Sequence, residues 1–270
     1  MSVKLERIRF VKASACGNDF LLIDYPPAAK ALPSLDAKEF TRRICDRHDG
    51  VGADGVEWMS PHAGADMQIR LINADGSEAE ISGNGTRCVA AYLYSERGTK
   101  VIKIQTGAGL KSCLLTSENP PEYEFEIDMG EPVVQAEQAV KLGAREIRGV
   151  PVSMGNPHFV LFVKEFLPNW QQEAAEIQER SRFKHGVNVE MVCVQGKHDV
   201  KVRFFERGVG ETQSSGTGSC ASAVAAIATG RAESPVRVHA QGGTQAVRQD
   251  GNSVFLRGAA RLVCRGEIFV

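Results

Sequence analysis

The sequence predicts an α+β protein of two pseudo-symmetric duplicated domains, each a curled mixed sheet around a central helix, and three observations predict it. The chain repeats itself: Ser82-Gly83-Asn84-Gly85 recurs as Ser215-Gly216-Thr217-Gly218, each with a glutamate four residues upstream (Glu78, Glu211). At the same offset, 215 − 82 = 133, Ile69-Arg70-Leu71-Ile72 falls on Val202-Arg203-Phe204-Phe205 and Asn73 on Glu206. Cys16-Gly17-Asn18 returns as Met154-Gly155-Asn156, and His48-Asp49-Gly50-Val51-Gly52 as His185-Gly186-Val187-Asn188, so several anchors keep one order at a nearly constant offset. The second observation is a run of many short strand-like segments with one or two helices per half, too few for a doubly wound parallel sheet. The third is the alanine-rich stretch from Ala221 to Ala228, apolar around nearly its whole circumference, as a helix enclosed by strands must be.

The elements follow in order. Residues 5 to 12 and 20 to 24 alternate or run apolar with β-branched residues, and Ser14 to Asn18 separates them as a short turn would. Residues 36 to 48 read as a helix, with Asp36 as N-cap and Phe40, Ile44 and Cys45 on one face. Strands are expected at 54 to 59, 67 to 72 and 101 to 105, with a helix from Arg87 to Ser95 beside the first glycine loop. The second half repeats this with strands at 122 to 128, 150 to 154, 158 to 164, 188 to 194 and 199 to 206, and helices at 171 to 181 and Ser219 to Thr229. Pro120-Pro121 is the strongest linker signal, because neither residue continues a helix or a central strand. With Ala260 to Val270 returning as strand to the first half, the expected domains are 1–119 plus 260–270 and 120–259.

Composition narrows the function. At 270 residues and 43% hydrophobic content the chain is near the length where one core divides into two. The formal charge is −1, and Arg42, Arg43 and Arg47 are interleaved with Asp46 and Asp49, which disfavours nucleic acid and anionic membrane as partners. The charged, alternating start lacks the apolar core of a signal peptide, no apolar run nears bilayer length, and seven scattered cysteines without Cys-x-x-Cys spacing suit reduced thiols. A soluble cytoplasmic protein is expected, acting on a small molecule; a homodimer is left open.

Each Ser-Gly-x-Gly loop leads into a helix, so backbone N–H groups and the positive end of a helix dipole converge above it. Neither loop has the lysine of a P-loop, and neither completes a dinucleotide fingerprint. A tight strand-to-helix turn explains one such loop alone. Two copies in related halves predict one interdomain cleft with opposed helix ends, suited to a carboxylate whose α-carbon is flanked by two proton-transfer groups.

Gly17-Asn18-Asp19-Phe20, Asp46-Arg47-His48 through Gly50-Val51-Gly52-Ala53-Asp54-Gly55, Asn73-Ala74-Asp75-Gly76-Ser77 through Gly83-Asn84-Gly85-Thr86-Arg87-Cys88, Met154-Gly155-Asn156-Pro157-His158, Asn188-Val189 and Glu206-Arg207-Gly208-Val209-Gly210-Glu211-Thr212 resemble the diaminopimelate epimerase family in order and spacing, from about residue 8 to 262. The resemblance implies epimerisation of LL- to meso-diaminopimelate, in lysine and cell-wall precursor synthesis, by two bases and without metal or pyridoxal phosphate. It implies that Asn18, Asn73, Asn156, Asn188, Glu206 and Arg207 grip the distal amino-acid end of the substrate, and that Gly83, Asn84, Gly216 and Thr217 hold the reacting carboxylate. A zwitterionic end fits that set, an anion for its ammonium and a guanidinium for its carboxylate. His158 is expected to be a hydrogen-bonded wall and not a base.

The family carries cysteine at both proton-transfer positions; here they are Ser82 and Ser215. A serine hydroxyl is too weakly acidic to work as an alkoxide without an adjacent base, and no histidine or lysine neighbours either loop in sequence. Three readings stand: both thiols replaced by near-isosteric serine, a natural branch performing a related α-proton reaction such as dehydration of hydroxyproline or racemisation of another amino acid, or a non-catalytic amino-acid-binding relative. Cys88 and Cys220, 88 − 82 = 6 and 220 − 215 = 5 residues past the serines, are expected to face the core and not to substitute for them.

Overall fold

The duplication reappears strand for strand in the backbone of a computed structural model, which describes residues 6–143, 145–179, 183 and 186–270. His185 of the repeated motif and the last residues of the helix expected at 171–181 lie outside the described residues. The chain divides into two units, Met1–Ile127 with Gly258–Val270, and Asp128–Arg257.

In the first unit β1 (Arg7–Ala15) pairs antiparallel with β2 (Asn18–Asp24), and β2 pairs parallel with β3 (Gly55–His62). β3 pairs antiparallel with β4 (Ala65–Asn73), which takes the short β5 (Glu78–Ala79) antiparallel and β6 (Val101–Thr106) parallel. β7 (Gly109–Asn119) and β8 (Glu122–Gly130) continue antiparallel. Parallel neighbours need long crossovers. The first crossover carries α1 (Tyr25–Ala31) and α2 (Ala37–Cys45), the second α3 (Gly83–Arg97).

The second unit opens with β9 (Val133–Val134) and β10 (Gln138–Leu142), both antiparallel to β11 (Arg145–Ser153). From β11 the pairing of the first unit recurs through β12 (Pro157–Phe162), β13 (Asn188–Gly196), β14 (Asp199–Glu206), β15 (Gly210–Thr212), β16 (Val236–Ala240), β17 (Gly243–Asp250) and β18 (Ser253–Phe269). The parallel pairs are again β12 with β13, across α4 (Trp170–Gln178), and β14 with β16, across α5 (Gly216–Ala228). α3 and α5 start 216 − 83 = 133 residues apart. Beyond Arg257, β18 belongs to the first unit and runs antiparallel to β1, from Arg261 against Ser14 to Phe269 against Arg7.

Each sheet is covered on both faces, and the alternation of side chains along a strand decides which residue meets which helix. On β3, Val56 and Trp58 join Phe40 and Ile44 of α2 in one core. Glu57, between them in sequence, therefore faces α3. On β13, Val189 and Met191 join Trp170, Ala174 and Ile177 of α4, while Val192 packs with the alanines of α5, so Glu190 faces α5. Gly218 through Ala226 are all buried, as the apolar circumference of that helix required.

Several expected boundaries move. The central helices begin at Gly83 and Gly216, not Arg87 and Ser219, because the loop glycines take ordinary helical backbone with Ser82 and Ser215 as extended N-caps. α2 ends at Cys45 rather than residue 48, where the Asp46 side chain takes the backbone N–H groups of His48 and Asp49 and forms a turn. α1 was not expected; it carries Pro26 and Pro27 in its first turn, where a helix tolerates proline. Pro120-Pro121 forms the turn between β7 and β8, with Asn119 opposite Glu122, and the units divide at Ile127/Asp128 instead, inside β8.

Candidate active site

Both serines cap the helix that follows them. Ser82 Oγ accepts from the Gly85 N–H at 3.1 Å, and Ser215 Oγ from the Gly218 N–H at 3.2 Å. Each hydroxyl thus sits at the positive end of a helix dipole. The second glycine of each loop is required by a close approach, not by an unusual backbone. A Cβ on Gly85 would stand 1.9 Å from Glu57 Oε1; one on Gly218 would meet Glu190 Oε1 and the Phe204 ring at 2.9 Å each. Gly85→Ala is therefore expected to destabilise the first unit by about 1–3 kcal/mol in urea unfolding, the usual cost of overpacking a closed core.

In the first unit the structure brings Asn18, Ser82, Gly83 and Asn84 to one place. Asn84 Nδ2 donates to Asn18 Oδ1 at 2.7 Å, and Asn18 Nδ2 donates to Asp54 Oδ2 at 3.0 Å. Behind them Arg47 spans Asp19 and Asp54 at 2.8 Å each, and Lys12 reaches Asp19 at 2.9 Å. Burial pushes Asp19 up, but Arg47 and Lys12 outweigh it and hold the carboxyl below its usual range. Asn73 is engaged elsewhere: its Nδ2 donates to Ser77 Oγ at 3.0 Å and its backbone closes the turn to Ser77.

The second unit gathers more. Asn156 Nδ2 donates to Thr217 Oγ1 at 3.3 Å, and Asn188 takes the Arg207 N–H on its Oδ1 at 2.9 Å while donating to the Pro157 carbonyl. Burial raises the Glu206 carboxyl, and the neighbouring Ser215 and Thr212 hydroxyls offset that only in part. His158 is fully enclosed, with Nδ1 2.7 Å from Glu190 Oε1 and Nε2 3.0 Å from Asn156 Oδ1. Burial raises Glu190 too, partly offset by His158. Since Asn156 Oδ1 can only accept, Nε2 carries hydrogen, and the histidine and Glu190 share one further proton as a net neutral pair. His158 is the hydrogen-bonded wall the sequence suggested, and it orients Asn156 toward the α5 loop.

Cys88 and Cys220 are fully buried, and burial pushes the Cys88 thiol far up, so neither takes over for a serine. The loop glutamates have structural partners, Glu78 with Arg70 and Lys38, and Glu211 with Gln171. An apolar pocket of about 280 Å³ lies among Val163, Phe166, Leu167, Trp170 and Met191, and none of the loop residues lines it. Among the described residues no group of His, Cys, Asp and Glu could hold a metal ion, and no helix is long and apolar enough to cross a membrane.

Sequence reading missed two buried acids. Glu57 and Glu190 lie 190 − 57 = 133 residues apart, the offset of the loops themselves, and each sits under the second glycine of its loop. A charged residue in an otherwise apolar strand, recurring at the repeat offset, was the available signal.

The profile of the diaminopimelate epimerase family matches residues 10–135 and, a second time, residues 150–263. The chain belongs to the diaminopimelate epimerase family. Relatives named diaminopimelate epimerase from Desulfitobacterium hafniense and Caldanaerobacter subterraneus subsp. tengcongensis are each 36% identical over 279 residues, covering 97% of this chain and 98% and 99% of theirs. The fold extends further. A hydroxyproline epimerase from Agrobacterium vitis, solved with trans-4-hydroxy-L-proline, superposes with a TM-score of 0.72 at 16% identity, over 98% of this chain and 93% of that one. A phenazine biosynthesis protein of the PhzF family from Bacillus anthracis gives 0.70 at 18% identity, over 99% and 100%.

Proposed function

We propose that this chain interconverts LL- and meso-diaminopimelate by exchanging the proton at one α-carbon, as a cytoplasmic enzyme of lysine and cell-wall precursor synthesis. Inversion needs one proton carrier for each face of the carbon, and each unit supplies one hydroxyl, Ser82 or Ser215. Backbone N–H groups of Gly83-Asn84 and Gly216-Thr217, at the starts of α3 and α5, hold the reacting carboxylate and the negative charge that develops as the proton leaves. Arg207 takes the distal carboxylate as a two-pronged donor, with Asn156 and Asn188 completing the grip.

The observation that carries this reading is the placement of the buried Glu206 carboxyl beside Ser215, whose hydroxyl helps to lower it against the effect of burial. A serine needs a base, and Glu206 is one: the Ser215 hydroxyl, held by the Gly218 N–H on one side, can pass its proton to the carboxylate as it takes the substrate's. Glu206 was expected to face the substrate ammonium, and its place beside Ser215 adds the proton-transfer role. The repeat counterpart, 206 − 133 = 73, is Asn73, an amide that cannot accept a proton, so Ser82 has no such helper at that position.

The two faces are thus unequal. In deuterated water, with LL- and meso-diaminopimelate incubated separately, α-deuterium is expected to enter one stereoisomer faster than inversion occurs. Glu206 must be ionised to act, and burial raises it, so the exchange rate climbs with pH through a range above that of an ordinary glutamate. Glu206→Gln is expected to lower exchange about 10²–10⁴-fold while diaminopimelate still binds. Exchange at the parent rate in that variant would remove Glu206 from the chemistry, and no exchange in the parent chain would favour a binding protein.

A further inference from the structure

Among the described residues of the first unit two charged ones are buried, Glu57 and Arg87, and neither belongs to the set that the family resemblance implies. Arg87 lies 87 − 82 = 5 residues past the Ser82 cap and is fully enclosed. Its Nη2 donates to Asn84 Oδ1 at 2.5 Å and reaches Cys16 Sγ at 3.6 Å, whereas Nε and Nη1 have no hydrogen-bond partner. Bare backbone covers the guanidinium from one side, since a Cβ on Gly258 would lie 3.1 Å from its Cζ. A guanidinium stays charged at any ordinary pH. Burial pushes Glu57 up to about 8, so the acid is protonated and does not cancel that charge at neutral pH.

An enclosed cation whose hydrogen-bond partners among the described residues are an amide oxygen and a thiol is costly to keep, and an apolar side chain of the same length would be cheaper if packing were its whole purpose. Its contacts point to a purpose. Because Asn84 Oδ1 takes the Arg87 proton, Asn84 must turn its Nδ2 toward Asn18 Oδ1, and Asn18 must turn its own Nδ2 toward Asp54. One directed chain, Arg87 to Asn84 to Asn18 to Asp54, sets both amides. The charge also stands behind the first turn of α3 and adds to the helix dipole at the same loop.

We propose that Arg87 is a positioning residue of the α3 loop, fixing the Asn84 and Asn18 amides and strengthening the loop's hold on a carboxylate. The inference rests on the proposed function only in taking this loop as a carboxylate holder. Its test compares the full chain with Arg87→Met and Arg87→Lys. NMR follows the side-chain NH2 resonances of Asn18 and Asn84, first without ligand and then in titrations with acetate and with diaminopimelate, and thermal unfolding is recorded for all three proteins. In Arg87→Met both amides are expected to shift and broaden and affinity for both ligands to fall at least about tenfold, with no drop in melting temperature, while Arg87→Lys keeps the charge and recovers much of the affinity. Parent-like resonances and affinities in Arg87→Met would overturn the proposal. So would a loss of affinity that tracks a lowered melting temperature and is not rescued by lysine. If the parent binds acetate but not diaminopimelate, the proposed substrate is wrong; acetate alone then decides Arg87, tenfold weakening in Arg87→Met supporting it and unchanged binding refuting it.

Discussion

Replacing Ser82 and Ser215 together by cysteine is expected to accelerate diaminopimelate epimerisation by about 10²–10⁴ for each position, the ordinary worth of a matched acid–base group. The argument is one of proton affinity. A thiol has a pKa of about 8.5, lower still at a helix N-terminus, so it can be thiolate on one face and thiol on the other near neutral pH. The serine hydroxyl at the same cap holds its proton too tightly to give it up unaided. Ser82 gains more from the exchange than Ser215, because Glu206 already serves Ser215 whereas the matching position in the first unit is Asn73. Single variants should therefore rank Ser82→Cys above Ser215→Cys in inversion rate, measured by chiral separation of the products. The same substitutions remove two good N-caps, each worth about 1 kcal/mol, so the faster enzyme should unfold at lower urea. A double-cysteine chain that binds diaminopimelate yet inverts it no faster than the parent would show that residues 82 and 215 are not the proton carriers.

Much of this was legible in the sequence because duplication turns weak local signals into paired ones. A single Ser-Gly-x-Gly loop reads as a turn; two at one offset, each before a small-residue helix, predict two matched helix ends, and α3 and α5 begin there. The all-round apolar face of residues 221–228 gave the enclosed helix, since no surface helix leaves solvent so little polar area. Helix starts were misplaced for the same reason the site exists. Glycines that permit close approach of Glu57 and Phe204 were taken for irregular loop, although their backbone is helical. Partners set by tertiary structure stayed hidden. Nothing in the order of residues says that Glu206 reaches Ser215 or that Asn188 takes the Arg207 N–H, because those contacts depend on strand β14 lying beside β13 and on the turn that follows it. Asn73 shows the converse, a residue well placed by motif whose amide is already engaged in the Asn73–Ser77 turn.

Glu57→Gln is expected to stabilise the folded chain at alkaline pH and to leave it nearly unchanged near pH 4. Glu57 is buried on the inward face of β3, neither oxygen has a hydrogen-bond partner, and burial alone raises its pKa from 4.5 to about 8. The folded state therefore keeps a proton that the unfolded state releases. Between those two values the unfolded chain binds fewer protons, so stability falls as pH rises, and the fall ends once the folded carboxyl ionises as well. With a shift of 8 − 4.5 = 3.5, the stabilisation is on the order of 5 kcal/mol, present in full below pH 4.5 and gone above pH 8. Glutamine fills the same space and titrates in neither state, so urea unfolding at pH 5 and at pH 8.5 should show the parent losing stability between the two conditions and the variant not sharing that loss. Equal pH slopes for the two proteins would mean that Glu57 finds a partner or solvent in the folded state. The same ionisation bears on the site, because a carboxylate formed against Gly85 would place negative charge beneath the helix end that has to hold the substrate's own.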